Sequence, residues 1–157
     1  MPTIRLSTHI NAPMSVVFDL SRNIDLHQRS MRHTSEKAIG GITTGLIWLN
    51  ETVTWQAKHL FKLRTFTSKI TAFDPYDYFE DRMVEGDFVS ACHGHFFSKT
   101  PSGTLMKDVF TFTTPYGVLG QIANVLFLRR YMRNLLKTRN RVIKQYAESD
   151  KWKELLW

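Results

Sequence analysis

Apolar and polar residues alternate along most of the first 113 positions, which is typical of β-strands with one face turned inward. Residues 3–11 form the first predicted strand. Two short helices follow, over 14–23 after the Asn-Ala-Pro entry and over 25–31. Six further strands are predicted at 35–40, 45–58, 61–73, 78–85, 89–98 and 104–113.

Four breaks between these strands carry residues that favour turns. They are Gly40-Gly41, Asp74-Pro75, Gly86-Asp87 and Pro101-Ser102-Gly103. The break from His59 to Lys62 has no such residue, and we expect a hairpin or a bulged bend there. Short breaks of this kind join antiparallel neighbours, so the strands are expected to form one mostly antiparallel sheet.

The last element is predicted to open at Pro115 and Tyr116-Gly117 and to run as one helix to about Ala147. Thirty residues would span roughly 45 Å, and the sheet is the partner large enough to cover such a helix. The predicted fold class is α+β: a curved antiparallel sheet of about seven strands grips the helix around an internal cavity. We assign this domain to residues 1–148 and a tail to 149–157. The apolar side of the helix is expected to carry Leu126, Tyr131, Met132, Leu135, Val142 and Tyr146.

The polar positions of each strand select the face that points to solvent, and this leaves an inward set. In order, the inward residues are Glu51, Val53, Trp55 and Ala57; Arg64, Phe66, Ser68 and Ile70; Phe79, Asp81 and Met83; Ala91, His93, His95 and Phe97; and Met106, Asp108, Phe110 and Phe112.

Two histidines, His93 and His95, lie two positions apart in one predicted strand and therefore share a face. Counting back from the hairpin turns places His93 opposite Asp108 and His95 opposite Asp81, with Cβ atoms about 5 Å apart. Two His–Asp pairs are thus predicted side by side on a face made otherwise of Phe, Met and Trp.

Carboxylates on a buried face need partners, because an unpaired buried charge is destabilising. Three interpretations of Glu51, Asp81 and Asp108 stay open: ion pairs between strands, the polar lining of a ligand cavity, or a catalytic or metal site. The metal interpretation is the weakest, since the acids lie on three strands without a specific ligand spacing. We therefore predict no metal and no cofactor. Arg139, near the centre of the helix's apolar arc, either extends to the rim or pairs with the inward acids.

Composition narrows the function classes. Cys92 is the single cysteine, which excludes an intrachain disulfide and favours a reducing compartment, so the cytoplasm is the expected location. The sequence shows no signal peptide, no membrane span, no GxSxG, no P-loop and no GxGxxG. The net charge is +7, and basic residues follow one another between Arg129 and Lys144. A solvated helix face is preferred over nucleic-acid binding, while peripheral contact with an anionic membrane stays open.

Several short motifs follow one another in a recognisable order. They are the entry INAPMSVVFDLSRN, Trp48 with Glu51-Thr52-Val53-Thr54-Trp55, His93-Gly94-His95-Phe96-Phe97, Met106-Lys107-Asp108, and Pro115 to Gly120. In this order they resemble the START-like, helix-grip superfamily of birch-pollen-allergen-like and polyketide-cyclase-like proteins, over nearly the whole chain. The nearest resemblance is to bacterial members of unassigned function, some of them labelled as cell-division inhibitors.

The resemblance implies a cavity between sheet and terminal helix that takes a hydrophobic or amphiphilic molecule. The leading prediction is a binding protein for an apolar or aromatic ligand with a polar group. The alternatives are a cyclase- or dehydratase-type enzyme with His93 and Asp108 as acid/base pair, and a membrane-surface protein. The oligomeric state is left open. The predicted ligand-binding residues are Glu51, Val53, Trp55, Arg64, Phe66, Phe79, Asp81, Met83, His93, His95, Met106, Asp108, Phe110 and Phe112.

Overall fold

The computed structural model describes residues 2–114 and 118–156, with side chains at all of these except 118–124. The described strands are β1 (Thr3–Ile10), β2 (Lys37–Gly41), β3 (Thr52–His59), β4 (Lys62–Asp74), β5 (Tyr78–Glu85), β6 (Ser90–Thr100) and β7 (Gly103–Thr113). The described helices are α1 (Met14–Ser21), α2 (Ile24–Ser30), α3 (Val118–Ala147) and α4 (Lys153–Leu156), with 3₁₀ turns at Arg32–Thr34 and Asp150–Trp152. The predicted helix opening at 115–117 lies outside the described residues.

The described strands form one antiparallel sheet in the order β1-β7-β6-β5-β4-β3-β2. Five of its six pairings are between strands consecutive in the chain, and the sixth brings β1 beside β7. The curved sheet encloses α3, which also packs against β1, α1 and α2. The predicted α+β architecture is confirmed.

The strand predicted to start at residue 45 begins instead at Thr52. The preceding segment is a turn: Asn50 has a left-handed φ of 68°, and the Trp48 amide donates to the Glu51 carboxylate at 2.8 Å. Ile47 is buried there, but in the core beside the helices and not in the sheet. The sequence of this segment resembled a strand because apolar residues that a loop buries in the core give the same pattern as the inward residues of a strand.

The break from His59 to Lys62 is a hairpin, as one of the two sequence interpretations had it. Its two loop residues, Leu60 and Phe61, have φ values of 54° and 64°. Two consecutive left-handed residues match the twist of the flanking strands, although Asn and Gly usually occupy such positions. Here large apolar residues hold a strained conformation at the surface.

Two clusters of buried apolar residues form the core. Phe18 of α1 is central to the first, where its ring meets Phe73, Phe79 and Phe97 edge-on at centroid distances of 5.2 to 5.5 Å. The second joins β1 and β7 to α3, and its buried members are Ile4, Phe110, Phe112, Leu128 and Leu136. The tail also reaches the first cluster, through Trp152, Leu155 and Leu156.

Candidate functional site

A cavity of about 270 Å³ lies between the inward face of the sheet and α3. Strands β3 to β7, both short helices and the described part of α3 all contribute to its lining, which is mainly apolar. Both core clusters supply wall residues, for example Phe79 from the first and Phe110 from the second. The inward face predicted from the alternation of apolar and polar residues therefore borders a cavity.

Both predicted His–Asp pairs are formed. The Nε2 atom of His93 lies 2.8 Å from Oδ1 of Asp108, and that of His95 lies 2.7 Å from Oδ2 of Asp81. The predicted register, however, is wrong by two residues on both sides of β6. His93 lies opposite Phe110 and Asp81, while His95 lies opposite Asp108 and Phe79.

The correct pairs survive the register error because they are diagonal contacts. A shift of two residues preserves the face of every side chain, and diagonal neighbours on one face stay within reach of long side chains. The two imidazoles stack on each other with ring centroids 3.7 Å apart, and His95 also stacks on Phe79 at 4.0 Å. These contacts hold both rings in defined orientations.

The helix completes this polar cluster. Asn140 donates to the second carboxylate oxygen of Asp108 at 2.7 Å, and Nη1 of Arg139 lies 3.6 Å from its Oδ1. Arg139 is buried and also donates to the Ser21 carbonyl at 3.0 Å. Of the two interpretations of Arg139, the one that pairs it with the inward acids is therefore correct.

The cluster shifts the ionisation of its members. Burial alone would raise the pKa of both Asp81 and Asp108, but hydrogen bonds from the imidazoles and nearby positive charge lower each below its usual value. Burial lowers the pKa of His95 to about 3, so its imidazole is neutral at pH 7. Burial also lowers the pKa of Arg139, although the two carboxylates oppose this effect. The cluster therefore holds two carboxylates and one guanidinium.

Asp81, His93 and His95 each place one potential metal-ligand atom within 4.8 Å of the others. Two imidazoles and one carboxylate suit a divalent transition metal by type. In this cluster, however, both Nε2 atoms already face carboxylates, and the Arg139 guanidinium lies 3.5 Å from Nδ1 of His95. A metal would have to displace these hydrogen bonds and bind beside a fixed positive charge, so a hydrogen-bonded site fits the residues better.

The structure brings most of the predicted site residues together. Ten of them line the cavity: Val53, Trp55, Arg64, Phe66, Phe79, Asp81, Met83, His93, His95 and Phe110. Met106, Asp108 and Phe112 lie behind this lining, fully packed in the core or the polar cluster. Glu51 is elsewhere, since its carboxylate accepts the Trp48 amide in the turn before β3.

Other lining residues were missed by sequence reasoning. Leu128 and Leu136 of α3 line the cavity, and their spacing from Met132 is the four-residue repeat of a helix face. From the short-helix region come Arg22, His27 and Glu36, the last two joined at 3.2 Å. Their loop and helix positions carried no alternation that could have shown which way they point.

Cys92 faces away from the cavity, as its position between the inward Ala91 and His93 predicts. Its thiol donates to the Glu80 carboxylate at 2.6 Å. Burial, followed by this hydrogen bond, raises the pKa of the thiol to about 12. A thiol held protonated in this way is a poor nucleophile.

Two hairpins and α3 contribute to the same side of the lining. Leu60 of the β3–β4 hairpin, Asp87 of the β5–β6 hairpin and Tyr131 of α3 all line the cavity. The three elements are tied together, because the Tyr131 hydroxyl lies 2.7 Å from Nδ1 of His59 and Arg64 donates to Asp87 at 2.6 Å.

Large apolar side chains are exposed on the β3–β4 hairpin and on α3. We call Leu60, Phe61, Leu126 and Phe127 the mouth patch. Phe61 is 99% exposed, and Leu126 is 66% exposed, which corrects its predicted place on the buried side of the helix. Phe127 is 54% exposed and stacks on Tyr131 at 6.2 Å. Among the described helices, none has an apolar stretch of the length that crossing a bilayer requires.

Comparison with known proteins identifies the architecture. No family model matches the chain, and no curated protein matches its sequence. Solved structures do match. TTHA0849 from Thermus thermophilus has a TM-score of 0.72 at 18% identity, covering 94% of this chain and 100% of that one. Ara h 8.0201 is a second match, with a TM-score of 0.66 at 13% identity over 93% of this chain and 97% of that one.

A third match is the di-domain aromatase/cyclase StfQ from the steffimycin biosynthetic pathway. It has a TM-score of 0.69 at 15% identity, and the match covers 93% of this chain and 50% of StfQ. Identities this low establish a shared fold and leave the contents of the cavity to be argued from the residues themselves.

Proposed function

Because this chain has the START-like helix-grip fold, we propose that its cavity binds a small apolar or aromatic molecule that carries a polar group. The cavity is the observation that carries this proposal. It has a volume of about 270 Å³, and its largely apolar lining includes side chains of the buried polar cluster. Ligand pockets typically combine an apolar wall with a few fixed polar groups. Val53, Trp55, Phe66, Phe79 and Met83 would supply apolar contact.

Stability alone gives no reason to keep such a space. Unfilled apolar volume and buried ionised groups both destabilise a fold, and a chain this short could close the gap with larger side chains. The occurrence of the same fold in StfQ, from a biosynthetic pathway for a small molecule, agrees with a binding role for the cavity.

A cavity-filling substitution tests this proposal. Ser68 lines the cavity from β4, whereas its neighbour Lys69 points to the opposite face of the sheet. Native mass spectrometry of protein purified from its own host should detect a bound small molecule in the wild-type protein and in Lys69→Trp. The adduct should be lost in Ser68→Trp. Equal occupancy in both variants, or a bare wild-type protein that also takes up no added aromatic compound, would contradict the proposal.

A second candidate function is contact of the mouth patch with an anionic membrane. Its four apolar side chains lie on the β3–β4 hairpin and on α3, which both contribute to the cavity lining, and Arg129, Arg130 and Lys137 are exposed further along α3. Apolar side chains that enter the interface beside cations that attract anionic lipids are the usual elements of peripheral binding. Such contact would place the cavity next to a membrane, which is a reservoir of apolar ligands.

Vesicle co-sedimentation tests the membrane proposal. Binding to phosphatidylcholine vesicles should require added phosphatidylglycerol and should weaken at raised salt. Phe61→Ser should reduce it, whereas Phe96→Ser should not, since Phe96 is exposed on the outer face of β6. Failure to sediment with the phosphatidylglycerol mixture, or unchanged sedimentation of Phe61→Ser, would contradict membrane contact through this patch.

The same cavity could also support acid/base chemistry. Asp108 fixes one nitrogen of His93, and the other nitrogen has no partner among the described residues. An imidazole held in this way can take a proton from a bound molecule. If the protein is an enzyme of this kind, turnover of the co-purified compound should be lost in His93→Gln while binding persists. Turnover that survives this substitution would exclude His93 as the base.

A further inference from the structure

The protons of the polar cluster can be assigned from its contacts. Ionised carboxylates only accept hydrogen bonds, so Nε2 of His93 donates to Asp108 and Nε2 of His95 donates to Asp81. The guanidinium of Arg139 only donates, and it faces Nδ1 of His95 at 3.5 Å. His95 is therefore the neutral tautomer with its proton on Nε2, in agreement with its lowered pKa.

Two atoms of the cluster are left for a ligand. Oδ1 of Asp81 and Nδ1 of His93 have no hydrogen-bond partner among the described residues, and both side chains line the cavity. An ionised carboxylate oxygen can only accept, so Oδ1 of Asp81 is a free acceptor at the cavity wall.

The cations that line the cavity are already engaged. Arg22 donates to Asp19 and to the Ile47 carbonyl. Arg64 donates to Asp87. Lysine is absent from the described lining.

The third lining arginine, Arg139, donates to Asn140 and to the Ser21 carbonyl. Among the described residues it is also the single arginine or lysine set against the carboxylates of Asp81 and Asp108, so the fixed negative charges of the polar cluster outnumber the fixed positive ones. An anionic ligand group would find no free cation there and would be repelled.

We propose that the polar group of the bound molecule is a hydrogen-bond donor without negative charge, such as a hydroxyl or a phenol, and that the free Oδ1 of Asp81 accepts its hydrogen bond. This inference rests on the proposed ligand-binding function and adds its selectivity. Fatty acids, other carboxylates and phosphates are excluded from the part of the cavity that the polar cluster lines, while phenolic and alcoholic molecules are preferred there.

Three matched two-ring probes test the selectivity by equilibrium dialysis. 2-Naphthol carries a donor, 2-methoxynaphthalene retains the oxygen without the donor, and 2-naphthoate is an anion. A hydrogen bond to a charged group should make 2-naphthol bind about tenfold tighter than 2-methoxynaphthalene. 2-Naphthoate should bind weakest, since its charge would lose water without gaining a cation.

Two acid-to-amide variants locate the acceptor. Asp81→Asn removes one of the two negative charges of the polar cluster and should lower the preference for 2-naphthol over 2-naphthoate by about tenfold. Asp77→Asn makes the same chemical change at an exposed residue outside the described lining and should leave the preference within about twofold.

The outcomes separate the two proposals. If all three probes bind with equal affinity, the cavity binds ligands but the selectivity proposed here is wrong. A preference that is unchanged in Asp81→Asn, or that changes equally in Asp77→Asn, would overturn the assignment to Asp81. If none of the probes binds, the ligand-binding function and the selectivity are both contradicted.

Discussion

At the scale of single residues, Arg139 shows how a buried charge can be recognised before the structure is known. It interrupts the apolar arc of a helix that faces a sheet with inward acids, and the structure places it 3.6 Å from Asp108. The guanidinium balances part of the negative charge that the two carboxylates bring into the interior. Removing one member of such a network leaves the others without compensation.

Arg139→Met should therefore be strongly destabilising. We expect a loss of about 3–5 kcal/mol in the free energy of unfolding, because Asp108 would stay buried without its cation. Arg141→Met is the matched control, since Arg141 is exposed on the same helix, and its effect should stay within about 0.5 kcal/mol. Equal effects in a urea titration would contradict the role assigned to Arg139.

The cluster also predicts a pH dependence of stability. His95 has a pKa of about 3 when folded and about 6.5 when unfolded, so the unfolded state binds more protons between these values. Stability should therefore fall as the pH decreases from about 6.5, by up to about 1.4 kcal/mol per pH unit from this residue. Below pH 4 the lowered pKa values of Asp81 and Asp108 add a loss of the same sign.

His95→Gln isolates this contribution. The variant should be less stable at pH 7, but its unfolding free energy should vary less between pH 6.5 and pH 4 than that of the wild type. His33→Gln is the control, because His33 is exposed and its replacement should leave the slope unchanged. Parallel curves for His95→Gln and the wild type would show that His95 is not buried in its neutral form.

At the scale of elements, the β3–β4 hairpin combines strain with exposure. Leu60 and Phe61 both adopt left-handed φ, and Phe61 contributes almost its entire side chain to the surface. Strain of this kind persists where the surroundings impose it and is often found at functional sites. For this hairpin, the suggested function is the membrane contact proposed for the mouth patch.

Replacing the pair by Asn-Gly should stabilise the protein. Asn and Gly adopt this turn with little strain, so Leu60→Asn/Phe61→Gly should raise the melting temperature, with a gain of about 1 kcal/mol. The same variant should bind anionic vesicles less well. A melting temperature below that of the wild type would show that the apolar pair contributes packing that the structure does not reveal.

At the scale of the whole molecule, filled and open parts of the interior should respond differently to truncation. Met106 is fully buried in the packed core, whereas Met83 lines the cavity and is half-buried. Met106→Ala should cost about 2–5 kcal/mol of unfolding free energy, because it creates a new void. Met83→Ala enlarges an existing space and should cost less than about 1.5 kcal/mol. Equal losses would indicate that the cavity closes in solution.

The sequence predicts faces well and register poorly, for a physical reason. Alternation repeats every two residues, so it places His93 and His95 on the inward face whatever the lengths of the hairpin loops. The register depends on turn geometry, and the two-residue loop between Thr100 and Gly103 shifts it by two. Glu51 was misplaced for a related reason, since apolar loop residues extended the apparent strand.

The polar cluster joins parts of the fold that are far apart in the chain. His95 connects β6 to β5, His93 connects β6 to β7, Asn140 connects β7 to α3, and Arg139 connects α3 to the end of α1. A ligand that hydrogen-bonds Asp81 would consequently stabilise the contacts that hold α3 against the sheet. Amide hydrogen exchange near residues 136–143 should then slow when the cavity is occupied, so that the stability of α3 depends on what the cavity contains.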